Sequence, residues 1–135
     1  QCSKANATVA AGYSLADAER FVRLGHWLSL EVKGSPPIAV RCAEDAPLAF
    51  SGSLSVDEGL RRGGTLCDIE HPDELYRALM KLGVELYVVD TKNPPAPEGF
   101  LAALDSRRDL FKRAYERDAL VVYTPAFSGF YARHT

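Results

Sequence analysis

Residues 65–90 run TLCDIEHPDELYRALMKLGVELYVVD, and their pattern reads strand, helix, strand. The apolar run over 65–69 predicts a short strand. Pro72 suits a first helical turn, where the missing amide would have had no partner. His71 or Glu70 stands at the capping position before it. Asp73 and Glu74 favour the positive end of the helix, and Leu75, Ala78, Leu79 and Leu82 recur at three- and four-residue spacing on one face. Lys81 and Gly83 then mark the C-terminus, glycine being the residue that turns left-handed at little cost. Val84 to Asp90 follows as an almost unbroken apolar run. Such a strand is expected to be covered on both faces, as in a parallel sheet. The stretch predicts a βαβ unit.

Upstream of this unit, residues 1–13 are small and polar and read as a loose N-terminal arm. Ser14, with Asp17 three residues on, opens a helix expected to reach about Val32. Ala18, Phe21, Val22, Gly25 and Leu28 predict its buried face, widened by Leu24 and Trp27. Gly25 costs about 1 kcal/mol against alanine in a helix interior, which close packing on a sheet would explain. Lys33 to Pro37 stops the helix. Ile38–Cys42 reads as a strand, residues 43–47 as a turn and Leu48–Ser51 as a second short strand. Ser55 and Glu58 form a capping box for a helix that Gly63 and Gly64 end.

Downstream, Thr91 to Pro97 holds three prolines in four positions and must be a loop. A short helix carrying Phe100, Leu101 and Leu104 follows. Residues 110–116 and 119–124 then read as two strands of a hairpin around Arg117-Asp118. Arg-Asp is not a favoured primed-turn pair, so a longer or bulged connection is expected. Phe111, Arg113 and Tyr115 are assigned to one face of the first strand. The aromatic tail with Phe127, Phe130 and Tyr131 is expected to pack back on the domain. The fold class expected is α/β over residues 14–135, a single domain with a small, mainly parallel sheet flanked by helices and a C-terminal antiparallel hairpin at the sheet's edge.

Composition narrows the function classes. The chain has 135 residues, a net charge of −2 and interspersed acidic and basic residues. No basic stripe suggests nucleic acid. No apolar stretch approaches the roughly 20 residues that span a bilayer. A chain beginning at Gln1 reads as a mature form or an excised piece. Asn6-Ala7-Thr8 matches a glycosylation acceptor, a pattern common by chance.

The residues with chemical potential are few. Gly52-Ser53-Leu54 and Gly63-Gly64 make neither glycine-rich phosphate signature. Cys67, Asp68, Glu70 and His71 are dense in potential metal ligands, yet Cys67 and Asp68 would point to opposite faces of a strand, and no metal or cofactor is expected. Ser51-Gly52-Ser53 lacks the flanking glycines of a nucleophile elbow. His26 beside Trp27 reads as packing or surface. Of the three cysteines, Cys42 and Cys67 fall in expected strands, where they serve as small apolar residues. If those strands are neighbours in an oxidising compartment, the two would form a disulfide. Ligands of open α/β sheets bind beyond the carboxyl ends of strands. That rule gathers Ser51, Gly52, Asp68, Asp90 and Thr91 as candidate ligand-binding residues, with Asp90 foremost.

Three segments carry a resemblance: Glu74-Leu75-Tyr76 with Leu82 to Asp90, Phe111-Lys112-Arg113-Ala114-Tyr115-Glu116, and Val121-Val122-Tyr123. Over about residues 36–124 the chain resembles the soluble C-terminal, extracytoplasmic domain of bacterial polytopic membrane glycosyltransferases. These are the protein mannosyltransferase-like and arabinosyltransferase-like enzymes that use polyprenyl-phosphate sugars. Their catalytic acids lie in the membrane portion, so the resemblance implies no catalytic residue here. It implies an accessory domain on the periplasmic face, partnered by the membrane portion of the same polypeptide and by a glycan or polyprenyl-phosphate-sugar acceptor. It also makes a Cys42–Cys67 disulfide more expected. The rival expectations are a standalone binder of a small molecule or nucleotide at the strand ends and an interaction module using the hairpin edge or the aromatic tail.

Overall fold

A computed structural model describes residues 15–31, 37–42, 66–92 and 96–133. The arm 1–13, the Ser14 cap, the strand at 48–51, the helix from Ser55, and Ser51 and Gly52 lie outside the described residues. The helix at the centre of the deciding stretch, here α2, spans Pro72–Leu82. Pro72 opens it, Asp73 and Glu74 occupy its first turn and Lys81 its last. His71 is the N-cap, but its side chain makes no capping bond. Gly83 adopts φ 73° and ends the helix, and the next amide, Val84 N–H, donates to the Leu79 carbonyl at 2.9 Å. This is the left-handed closure that glycine supports at little cost.

The first strand of the βαβ reading is displaced. Residues 66–68 form a turn, not a strand. The strand that enters the unit is β1, Ile38–Val40, which pairs in parallel with β2, Leu86–Asp90. The helix therefore belongs to a crossover between β1 and β2, and residues 66–69 are part of the path between them. Local apolarity marks burial, and Leu66 is fully buried without being in a strand.

Among the described residues four strands form a sheet in the order β1-β2-β4-β3, with β3 at Phe111–Arg117 and β4 at Leu120–Pro125. The expected mainly parallel sheet is corrected to a mixed one. β1–β2 is parallel, whereas β2–β4 and β3–β4 are antiparallel. The inference failed because β2 is apolar for a different reason. Helices cover both faces of the sheet, and β4, antiparallel to both its neighbours, is just as fully buried.

One face of the sheet presents Ile38, Val40, Leu86, Val88, Leu120 and Val122 to Phe21, Leu24 and Leu28 of α1, Leu15–Glu31. Val22, expected on that face, is exposed instead, because 21, 24 and 28 define the buried stripe. Gly25 is buried, as its place on that stripe requires. The opposite face presents Ala39, Tyr87, Val89, Val121 and Tyr123 to Leu75 and Leu79 of α2 and to Phe100 and Leu104 of α3, Phe100–Ser106. Burying each leucine contributes roughly 1.5–3 kcal/mol. The tail forms α4, Gly129–Arg133, and puts Phe130 into the first core.

A bulge between Arg113 and Tyr115 corrects the single-face reading of β3. An extra residue in one strand reverses the side-chain alternation beyond it. Phe111 thus packs in the α2/α3 core, while Tyr115 packs on the α1 side. The hairpin turn itself is Asp118-Ala119, with φ of 56° and 65°. Both are left-handed, as a two-residue primed turn requires.

Near the bulge, Arg113 makes a two-pronged ion pair with Asp105 at 2.9 and 2.6 Å, and the Tyr123 hydroxyl donates to the same carboxylate at 3.0 Å. Burial raises the Asp105 pKa, but the Arg113 and Tyr123 hydrogen bonds outweigh it and hold the carboxyl below its usual range. A depressed folded-state pKa gives stability present above the unfolded value of about 4 and lost as pH falls through the folded one. Stability measured by urea unfolding is expected to decline below about pH 4, and Asp105→Asn is expected to flatten that decline. An unchanged acid limb in the variant would show that Asp105 does not contribute to it.

Candidate functional site

The strand-end group expected to bind a ligand is divided by the structure. Asp90 ends β2 and is buried. Arg20 of α1 donates to both its oxygens, Nη1 to Oδ1 at 3.0 Å and Nη2 to Oδ2 at 2.9 Å. The Lys92 amide donates to Oδ1 at 2.9 Å. Arg20 Nη1 also reaches the Asp118 carbonyl at 3.0 Å. Thr91 donates to the Ala119 carbonyl through its amide at 2.9 Å and its hydroxyl at 3.0 Å. Asp90 and Thr91 therefore tie α1 and β2 to the hairpin turn. These tertiary bonds hold Ala119 in a conformation that alone costs roughly 1–2 kcal/mol. Asp68 is exposed in the 66–68 turn, and no hydrogen bond or ion pair among the described residues joins it to Asp90. Asp90 is thus held as a structural clasp between α1, β2 and the hairpin turn.

Cys42 and Cys67 are joined as a disulfide with their Cα atoms 4.6 Å apart. Neither lies in a strand. Cys42 has φ 60° in the turn after β1, and Cys67 sits in the 66–68 turn. Among the described residues no group of three or more His, Cys, Asp or Glu side chains is placed to hold a metal.

Beside the disulfide stands a residue that the sequence reading passed over. Arg41 follows β1, its amide still donating to the Val88 carbonyl at 2.8 Å. Its side chain is 7% exposed and its guanidinium lies 5.4 Å from the Phe100 ring centroid. Nε and Nη1 are buried and have no hydrogen-bond partner, and neither has the buried Tyr87 hydroxyl. Burial pushes the Tyr87 phenol well above its ordinary pKa, an effect that Arg41 partly opposes. The signal in the sequence was a lone cation closing an otherwise apolar strand.

On the α1 side of β3, a groove of about 430 Å³ is lined by Trp27, Tyr115, Val22, Leu30, His26 and the arginines 23 and 117. The Trp27 and Tyr115 rings are 4.9 Å apart and tilted by 48°. Trp27 also meets Phe130 edge-on at 6.2 Å, which anchors its inner side. Val22 and Leu30 are exposed, Leu30 by 66%. Arg23 pairs with Asp118 at 2.7 Å and holds that carboxyl below its usual range, while Arg117 lies 3.6 Å from the same carboxylate and is mostly exposed. The Tyr115 hydroxyl is buried without a hydrogen-bond partner, and burial raises its pKa. Val22, His26 and Leu30 recur every four residues, a second stripe beside the core stripe of α1. That stripe was the available signal, and reading Trp27 as core concealed it.

A second hollow of about 620 Å³ is lined by residues that include Thr91, Arg113, Glu116 and Asp118. Its charges are mutually satisfied, Arg113 bonding Asp105 and Glu116. Of the two hollows, the Trp27 groove alone combines aromatic faces with cationic groups at its rim.

Comparison with protein-family models, curated proteins and solved structures gives no match. The site must be read from its own chemistry.

Proposed function

We propose that this chain is an accessory, non-catalytic domain of a membrane glycosyltransferase-like protein, and that it holds a saccharide of the donor or acceptor in the Trp27 groove. The Trp27–Tyr115 groove is the observation that carries the reading. A pyranose has apolar C–H faces and a polar hydroxyl rim. A tilted aromatic pair accepts the former, and Arg23, His26 and Arg117 supply hydrogen-bonding groups for the latter. The volume suits a small-molecule site. The resemblance over residues 36–124 supplies the glycosyltransferase context, and the disulfide favours an oxidising, extracytoplasmic compartment. No helix among the described residues is long and apolar enough to cross a membrane. In this reading the membrane portion of the same polypeptide is the partner and does the chemistry.

Trp27 is the chain's single tryptophan, so its fluorescence reports on the groove directly. Titration with mannose, arabinose and their oligosaccharides is expected to give a saturable change. Arg117→Ala, read by the same fluorescence, and Trp27→Phe, read by calorimetric titration because it removes the fluorophore, are expected to weaken binding at least about 10-fold while the fold persists. A flat signal across the series would sink the reading. Turnover of a polyprenyl-phosphate sugar by the chain alone would replace it with a catalytic one.

A further inference from the structure

We propose that Arg41 is the centre of a binding site for a phosphate-class oxyanion, independent of the Trp27 groove. The chain contains two buried arginines in the described residues, and they are treated in opposite ways. Arg20 is 5% exposed and has a carboxylate on two nitrogens and a carbonyl beside it. Arg41 is 7% exposed, yet its Nε and Nη1 find no acceptor. A guanidinium stays charged at any pH a protein meets. Taking it from water is costly unless an opposite charge and hydrogen bonds compensate. The Phe100 ring at 5.4 Å compensates in part, but it offers no acceptor for an N–H.

The surroundings lack the same thing that Arg41 lacks. The Tyr87 hydroxyl is a second buried donor without an acceptor, close enough to Arg41 to feel its charge. Two side chains with unsatisfied donors, and no carboxylate paired with them among the described residues, ask for an acceptor that arrives from outside. An oxyanion with several oxygens meets both demands, and arginine is the side chain best suited to phosphate. The position fits as well. Arg41 lies at the carboxyl end of the parallel pair β1–β2, the edge at which α/β sheets take ligands. The disulfide at Cys42 fixes the chain one residue further on, so Arg41 is held on a rigid base. The phosphate is free in solution or esterified to a sugar or lipid.

The test is calorimetric titration of the intact, oxidised chain with inorganic phosphate, glucose 1-phosphate and acetate. Saturable binding of phosphate or its ester, weakened about 10-fold or more by Arg41→Gln and less by Arg41→Lys, is expected. The tighter of the two phosphate probes distinguishes a free from an esterified source. Tyr87→Phe is expected to weaken binding while leaving the fold intact, and it serves if Arg41→Gln fails to fold. No saturable phosphate binding by the native chain would overturn the proposal. Binding that survives Arg41→Lys and Tyr87→Phe unchanged, or acetate binding as tight as phosphate, would overturn it equally. The Trp27 fluorescence titration with neutral sugars reports on the other site, so the two readings fail separately.

Discussion

Asp90→Ala is expected to lower folding stability by about 3–5 kcal/mol, a large fraction of the margin of a domain this size. The reason is what the substitution leaves behind. Arg20 remains buried and charged, with its two bonds to the carboxylate gone. The Lys92 amide also loses its acceptor, and the hairpin turn loses the group that positions Arg20 against the Asp118 carbonyl. The size of the effect does not measure how much the pair contributes over an apolar alternative. Replacing both partners together, as Arg20→Met with Asp90→Leu, removes the stranded charge, and that double variant is expected to recover most of the loss. Urea unfolding of the single and double variants checks both halves. A loss below about 1 kcal/mol for Asp90→Ala would mean that the clasp is solvated, and Asp90 would return as a ligand candidate.

Removing the disulfide is expected to cost about 3.5 kcal/mol, from the entropy that a cross-link 25 residues apart takes from the unfolded chain. Cys42→Ser with Cys67→Ser, or reduction of the native chain, should lower the urea midpoint and steepen the slope somewhat, because the unfolded chain without the cross-link exposes more surface. The bond also fixes the 66–68 turn, and with it Leu66, against the end of β1. Its loss is therefore expected to loosen the Arg41 region before the hairpin. Amide exchange rising first around Arg41 and Leu66 would show this. Equal stability with and without reductant would remove the argument for an oxidising compartment.

The parts of the chain with a strong local code were legible. α2 was read to within a residue because its proline, acidic first turn, leucine spacing and terminal glycine all agree. The hairpin was read for the same reason, with an error of one residue in its turn, since Asp118 and Ala119 take left-handed conformations that the residue types do not announce. The sheet's direction was misread because an apolar run records two-sided burial and not the sense of its neighbours. The bulge that carries Tyr115 to the α1 face left no mark in the β3 pattern. The candidate sites were least legible. Asp90 looked available because its partner Arg20 stands 70 residues away, and Arg41 looked like a strand residue because nothing local shows that its counter-charge is missing.

The amino-acid sequence by itself therefore determined α2, the two hairpin strands, most of the buried stripe of α1 and an α/β class, since capping, periodicity and burial act over a few neighbouring residues. Only the tertiary structure decided which strands pair and in which sense, that Asp90 is a clasp, and that Trp27 meets Tyr115 across 88 residues of chain. Those outcomes depend on charges and rings brought together from distant positions, and no local pattern encodes the meeting.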